Sequence, residues 1–339
     1  MIVSDADIAQ NSTVEEEPKL NFYPNRLGAI YPSKGCYIDH DTLEDNMFVD
    51  IEFSHLSKEE TTQMVQGEFD KFVSQLKKNG IQIEMFEQET DAPDSVCTDW
   101  FMTVRNELFP KGVLILGAMK NKQRRRERSQ KLIDTLEGYY EHIIDLKFYE
   151  EQNLALELQG SLVCDWKNAK IYCSLSTRSD IAPFEYLIEE LNKISQLNTG
   201  KEIKGISFTS HDWDDNQIYH TDIMLAILDK HILICSDMIK DEDKRQVILE
   251  ELSSPELNDN PREIITISEE ECLNMCANVI FCKDKNDNSC VIMSERAMIN
   301  YHRENRREIK RNYKVIKADL RVLEKISGAS AKSLLAAIN

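Results

Sequence analysis

The passage Leu156-Glu157-Leu158-Gln159-Gly160-Ser161-Leu162-Val163, followed by a turn at Lys167-Asn168 and a return from Ile171 to Leu175, decides the fold. Short apolar runs on either side of a polar turn read as the two arms of a hairpin. Asp180 then introduces a helix from Pro183 to Leu197, and Ile203 to Phe208 reads as a further strand. The period changes from strand to helix and back within one short stretch, so the local unit is hairpin, helix, strand.

The same grammar extends in both directions. Toward the N-terminus, Leu27 to Pro32 is a strand and Asp39 to Phe48 is a polar loop carrying Asp45 and Asn46. A helix begins at the N-cap Ser57 with Glu60 as its capping-box partner, presents Met64, Val65, Phe72, Val73 and Leu76 on one face, and stops at Gly80. Ile81 to Phe86 is a strand, Pro93 to Phe101 a turn and strand, and Val113 to Met119 another strand. The basic run Lys120 to Arg128 leads into helical spacing at Leu132, Ile133 and Leu136, and in so acidic a chain it reads as a solvated or ion-paired face.

Toward the C-terminus, His220 to Ile227 and His231 to Cys235 form a second hairpin, and Glu263 to Ile267 is a strand. Ser268 caps a short helix running through Cys276, and Asn278 to Cys282 with Cys290 to Met293 form a third hairpin. Glu295 to Arg307 reads as one helix, Tyr313 to Leu320 leads on, and Leu334 to Ile338 closes the chain as a short buried strand. About five such units lie between Leu27 and Ile338, with irregular spacing and no recurring motif, which excludes a solenoid. Hairpins alternating with helices build either an open mixed sheet or a ring of small α/β units around a central site.

Composition narrows the function. The chain has 339 residues, 41% of them hydrophobic, and a formal net charge of −19. That charge repels nucleic acid and anionic membrane, so a nucleic-acid role through Lys120 to Arg128 and Arg303 to Arg311 ranks last. No apolar run is long enough to cross a bilayer, and Met1 to Lys19 lacks the order of a signal peptide, so the expected location is cytoplasmic; a mitochondrial address is compatible with a processed chain. The nine scattered cysteines suit free thiols in a reducing compartment. Cys272, Cys276, Cys282 and Cys290 lack the paired short spacing of a structural zinc site, so no metal or cofactor is expected, and Cys290 reads as a packed thiol. Residues 1–22 are polar and acidic and read as a flexible arm.

Four polar stretches stand beside strands: Asp94 to Asp99, Glu157 to Ser161, His220 to Asp222, and Ser333, which the small-residue turn Gly328 to Ala331 delivers after Lys332. Together they offer carboxylates, an imidazole and a hydroxyl. Glu157-Leu-Gln-Gly-Ser-Leu-Val, His220-Thr-Asp-Ile-Met-Leu, Ala277-Asn278 with Val291 to Ala297, and Ile326 to Ser333 resemble the arginine deiminase, dimethylarginase and amidinotransferase superfamily, nearest its citrulline-utilisation hydrolase and amidinotransferase-like branch. Asp39 to Phe48, Pro93 to Phe101, and Asn121 with Arg124 to Arg128 fit the same resemblance, which spans almost everything after Leu27.

The resemblance implies an α/β fold, a five-fold pseudosymmetric α/β propeller of repeated strand-hairpin-helix units around a central pocket, occupying residues 23–339 as a single domain. It also implies a mechanism in which a cysteine thiolate attacks a guanidino or ureido carbon and a histidine serves as acid and base. By position, Glu157 and His220 are the acid/base pair, Asp222 with Asp94 or Asp99 grips the substrate, Arg178 lies beside them, and Lys332 stands where the family tends to carry an arginine. The implied ligand is a small guanidino or ureido compound such as arginine or citrulline. The sequence gives no reading of oligomeric state.

The nucleophile position departs from the pattern. The family's tail runs approximately Gly-Gly-Gly-Ser-Ala-Arg-Cys, whereas this chain has Ser327-Gly-Ala-Ser-Ala-Lys-Ser333. A thiol with pKa about 8.5 reaches its thiolate beside a cation, while a serine hydroxyl needs a strong dedicated base. Ser327, Ala329, Lys332 and Leu158-Gln159 also depart, which favours natural divergence over one introduced substitution. Two readings follow: a catalytically impaired binding or scaffold protein with a possible place in a protein assembly, or a C–N hydrolase or amidinotransferase in which Ser333 is an engineered replacement for Cys.

Overall fold

A computed structural model describes residues 20–39, 46–254 and 261–338. The expected arm therefore lies almost wholly outside the described residues, as does Asp45 of the polar loop. Phe22 packs against the apolar core, and the Tyr23 ring meets Phe281 edge-on at 4.9 Å.

Five three-stranded sheets make the architecture. In each, a central strand runs antiparallel to one neighbour and parallel to the other. The central strands are Arg26–Tyr31, Phe109–Leu116, Lys170–Ser174, His231–Ile234 and Ser289–Ser294. Their antiparallel partners are Ala336–Ala337, Phe101–Asn106, Leu162–Asp165, Leu225–Ile227 and Ile280–Lys283; their parallel partners are Gln82–Glu87, His142–Asp145, Lys204–Phe208, Glu263–Thr266 and Lys314–Ala318. The first unit takes its antiparallel strand from the end of the chain, with Leu27 opposite Ala337 and Gly28 opposite Ala336. This closes the set of five, and the tail is held as the missing edge of the first sheet.

Helices cover the sheets by burying one apolar stripe each. The helix Lys58–Lys78 has the expected capping box at Ser57 and Glu60 and buries Val65, Phe69, Phe72, Val73 and Leu76. Burying each such side chain contributes roughly 1.5–3 kcal/mol. Met64 is 40% exposed, contrary to the expected face, because the stripe repeats through Thr61, Val65 and Phe69 and leaves Met64 at its edge. The helix Ile181–Thr199 matches expectation, and all nine cysteines are free thiols, Cys290 among the buried ones.

Two further expectations are corrected. Leu158–Ser161 is a helical turn, not a hairpin arm, and the strand starts only at Leu162. Its geometry comes from packing: a Cβ at Gly160 would lie 2.2 Å from Nδ1 of His220, so only glycine lets the backbone approach the imidazole. The expected helix Glu295 to Arg307 is two helices, Glu295–Asn300 and Arg303–Asn312. The break falls where buried Tyr301 donates to the Cys276 carbonyl and the His302 N–H donates to Glu271 Oε1 at 2.8 Å. Among the described residues no helix is long and apolar enough to cross a membrane.

Replacing the capping serine, Ser57→Ala, removes the acceptor for the Glu60 N–H at 3.2 Å. Urea denaturation should show about 1 kcal/mol less stability with an unchanged m-value.

Candidate active site

The antiparallel strand of each sheet is preceded by a polar turn, and these turns converge. Asp99 stands before Phe101, Glu157 before Leu162, His220 and Asp222 before Leu225, Asn278 before Ile280, and Ser333 before Ala336. Pseudosymmetry thus brings residues remote in sequence to one cavity. Asp94, Asp99, Arg178, His220, Asp222 and Ser333 all line it, together with Arg124 and Asn278. Its free volume is about 20 Å³, comparable to what one water requires.

Glu157 is fully buried and lies 2.9 Å, through Oε2, from Nε2 of His220. Arg178 is 3.6 Å from the same oxygen and stacks over the Tyr219 ring at 4.3 Å. Asp222 accepts from Asn278 Nδ2 at 3.1 Å and from Lys332 Nζ at 2.9 Å. Lys332 also donates to the Gln159 carbonyl, and with Gln159 it lines a second cavity of about 140 Å³. It therefore reaches Asp222 from behind the Ser333 cavity. The Ser333 hydroxyl accepts a long hydrogen bond from Asn278 Nδ2 at 3.4 Å. Its backbone carbonyl accepts from the Thr98 N–H at 2.9 Å, which ties the tail to the Asp94–Asp99 turn.

Arg124 is the residue whose burial the sequence did not reveal. It was expected on a solvated or ion-paired basic face, yet it is 3% exposed and its guanidinium sits among four buried carboxylates. Nη1 donates to Glu157 Oε2 at 3.0 Å, Nη2 to Asp99 Oδ2 at 3.0 Å, and Nε to Glu127 Oε1 at 2.8 Å, with Asp94 Oδ2 at 3.6 Å from Nε. Arg125, by contrast, pairs with Glu150, and Arg126 donates to the carbonyl of Asp91. The signal that would have separated them is Glu127, spaced to meet Arg124 across one turn of the 3₁₀ segment Arg124–Glu127. Asn278, within a quoted motif, and Cys97 also line the cavity without having been expected as site residues.

The carboxylates titrate differently because the cations are unevenly shared. Burial would raise Glu157, but the Arg124 and Arg178 guanidiniums and the His220 bond overcome it and hold Glu157 well below the usual carboxylate range. Burial raises Asp94 to about 6, with Arg124 and Arg178 opposing and Asp99 and Glu157 assisting. Burial raises Glu127 well above its usual value and Asp222 more modestly, the latter opposed by Lys332. Burial likewise pushes the Cys97 thiol up, aided by Asp94 and Asp99, so it is a poor thiolate. Ligand atoms of Asp99, Glu157 and His220 lie within 4.8 Å of one another, as a metal would require, but the Arg124 guanidinium bonds two of the three.

With this geometry in place, the family model for eukaryotic N,N-dimethylarginine dimethylhydrolase matches residues 33–339. The chain belongs to that family. No curated protein sequence matches it significantly. Among solved structures, the apo form of ArgZ, a cyanobacterial arginine dihydrolase, is 18% identical with a TM-score of 0.67, covering 92% of this chain. The chain spans 40% of the length of that protein. A cysteine-to-serine mutant of the ArgZ N-terminal domain bound to substrate is 18% identical with a TM-score of 0.66, covering 91% of this chain and 96% of that one. The dimethylargininase of Pseudomonas aeruginosa, a cysteine-to-serine mutant complexed with citrulline, is 15% identical with a TM-score of 0.57, covering 93% and 100%. The expected superfamily and the five-unit α/β propeller of this guanidino-modifying family are both borne out.

Two outcomes follow. Gly160→Ala should force the His220 ring off Glu157 and cost about 1–3 kcal/mol in urea denaturation. For Asp94, the folded value of about 6 lies above the ordinary 3.8, so its contribution is most favourable in acid and declines as pH rises through about 6. Asp94→Asn should accordingly stabilise the fold at pH 8 relative to pH 4, by on the order of 2 kcal/mol, when midpoints are compared at both pH values.

Proposed function

We propose that this chain is a catalytically impaired member of its family that retains a guanidinium-recognising cage and acts as a binding or scaffold protein. The observation that carries the reading is the Arg124 guanidinium, bonded to Asp99, Glu127 and Glu157 in a cavity of about 20 Å³. A planar cation held by several carboxylates is the interaction that a guanidino substrate would need. Here the chain supplies that cation itself.

The nucleophile supports the same reading. Ser333 carries a hydroxyl, and its side-chain contact is a long one from Asn278, which donates to it and does not take its proton. The His220 Nε2 is engaged by Glu157. The pair Glu157 and His220 has the geometry of acid/base partners, Asp222 and Asp99 supply acceptors, and Ser333 stands where an attacking group would stand. Asp94 and Arg178 complete the wall, and Lys332 acts through Asp222.

A second reading, a C–N hydrolase or amidinotransferase acting on arginine, citrulline or a relative, is favoured by one observation. Asp99 Oδ1 is buried without a hydrogen-bond partner among the described residues, so the cage retains an acceptor for an incoming N–H. The solved relatives with serine in place of cysteine hold substrate or citrulline. A serine in the cavity is therefore compatible with ligand capture.

Release of ammonia or amine from arginine, citrulline, agmatine and methylated arginines separates the readings. The parent chain and Ser333→Cys should both be inactive, because Arg124 still fills the cage. Turnover by Ser333→Cys alone would establish the second reading, and turnover by the parent would sink the first. The cage is tested independently by Arg124→Ala: methylguanidine should raise the melting temperature of this variant and leave that of the parent unmoved.

A further inference from the structure

A second polar cluster lies apart from Ser333, at the edge of the fourth sheet. His231 opens the central strand His231–Ile234 and pairs in register with Glu263, the first residue of the neighbouring strand Glu263–Thr266. The helix Arg303–Asn312 brings Glu308 to the same place. These three residues line a cavity of about 370 Å³ that shares no residue with the Ser333 cavity.

The imidazole is 2% exposed. Its Nδ1 lies 2.7 Å from the hydroxyl of Tyr313. That oxygen also accepts from the Lys230 N–H at 3.3 Å. With Nδ1 engaged by Tyr313, Nε2 is the ring nitrogen left toward the two glutamates.

Nε2 faces two carboxylate oxygens, Glu263 Oε2 and Glu308 Oε1, each at 3.7 Å. Both distances are too long for hydrogen bonds. Two carboxylates converging on one ring nitrogen call for a positive charge between them, carried either by a proton on that nitrogen or by a bound cation. All three ligand atoms lie within 4.8 Å of one another, near the separation of ~3.4 Å that a tetrahedral zinc ion imposes on its ligands. Arg262 also lines the cavity, but its charge is committed to Asp165 at 2.5 and 2.8 Å. The Glu263 side chain is 80% exposed, which gives an ion a way in.

We propose that His231, Glu263 and Glu308 form a binding site for a divalent transition-metal ion of the zinc type, with Tyr313 as the positioning residue that orients the imidazole. One imidazole with two carboxylates suits zinc, cobalt or nickel better than magnesium or calcium, which favour all-oxygen shells. A tyrosine fixing the distal ring nitrogen is the kind of outer contact that sets tautomer and ring orientation at such sites. Bound there, the ion would join the helix Arg303–Asn312 to the fourth sheet.

The test is calorimetric titration of the full chain with Zn(II), paired with the visible absorption of Co(II). One equivalent should bind with a tetrahedral Co(II) spectrum. Glu263→Gln and Glu308→Gln, both of which retain their surface positions, should each weaken binding by about tenfold or more while the far-UV circular dichroism stays unchanged. His220→Asn should leave binding intact, separating this site from Asp99, Glu157 and His220. Absence of stoichiometric binding, binding that persists in the Glu263→Gln/Glu308→Gln double variant, or binding lost in His220→Asn would overturn the assignment and leave His231 as a histidinium paired with its two carboxylates.

Discussion

The Arg124 guanidinium among Asp94, Asp99, Glu127 and Glu157 is the interaction on which the centre of this molecule depends. Four buried carboxylates would be untenable side by side without a cation, because each has lost its water. Arg124 meets three of them with hydrogen bonds and approaches the fourth, and Arg178 adds a second positive charge at Glu157. Two cations do not cover four anions equally. Glu157 stays ionised, while burial prevails at Asp94 and Glu127.

This arrangement commits the central carboxylates to the chain's own arginine. On the proposed function, the carboxylates that would meet a foreign guanidinium are the ones that hold Arg124, so a ligand entering the cage has to displace Arg124 or use acceptors it leaves open. Removing one partner of a buried ion pair typically costs about 3–5 kcal/mol. A site built this way favours occupancy by its own side chain, and the small cavity that remains follows from it.

Ring closure is the second constraint. The tail supplies the antiparallel edge of the first sheet through Ala336 and Ala337, and Ser333 is presented just before that edge as Glu157, Asp222 and Asn278 are presented before theirs. The hydroxyl position is thus an outcome of strand pairing between the two ends of the described chain. The hydrogen bond from Thr98 N–H to the Ser333 carbonyl locks the same junction from the side of the Asp94–Asp99 turn.

Local chemistry was enough to read the hairpins at Ile171, His231 and Cys290, the capping box at Ser57 and the count of units, because alternation, helical spacing and caps act over a few residues. The motifs around Glu157, His220 and Ser333 were legible through their resemblance to the superfamily, not through periodicity. Met64, the helical turn Leu158–Ser161 and the break at Tyr301 were not, since each is set by what packs against it from elsewhere in the chain. Arg124 is the extreme case: one of several arginines in a row, it differs from Arg125 and Arg126 only in the side of a short 3₁₀ turn that faces the cavity. The sequence by itself determined the repeated unit, the family and a serine, not a cysteine, at position 333. Only the tertiary structure decided which charge fills the cage, because burial and the meeting of groups distant in sequence arise when the five units close.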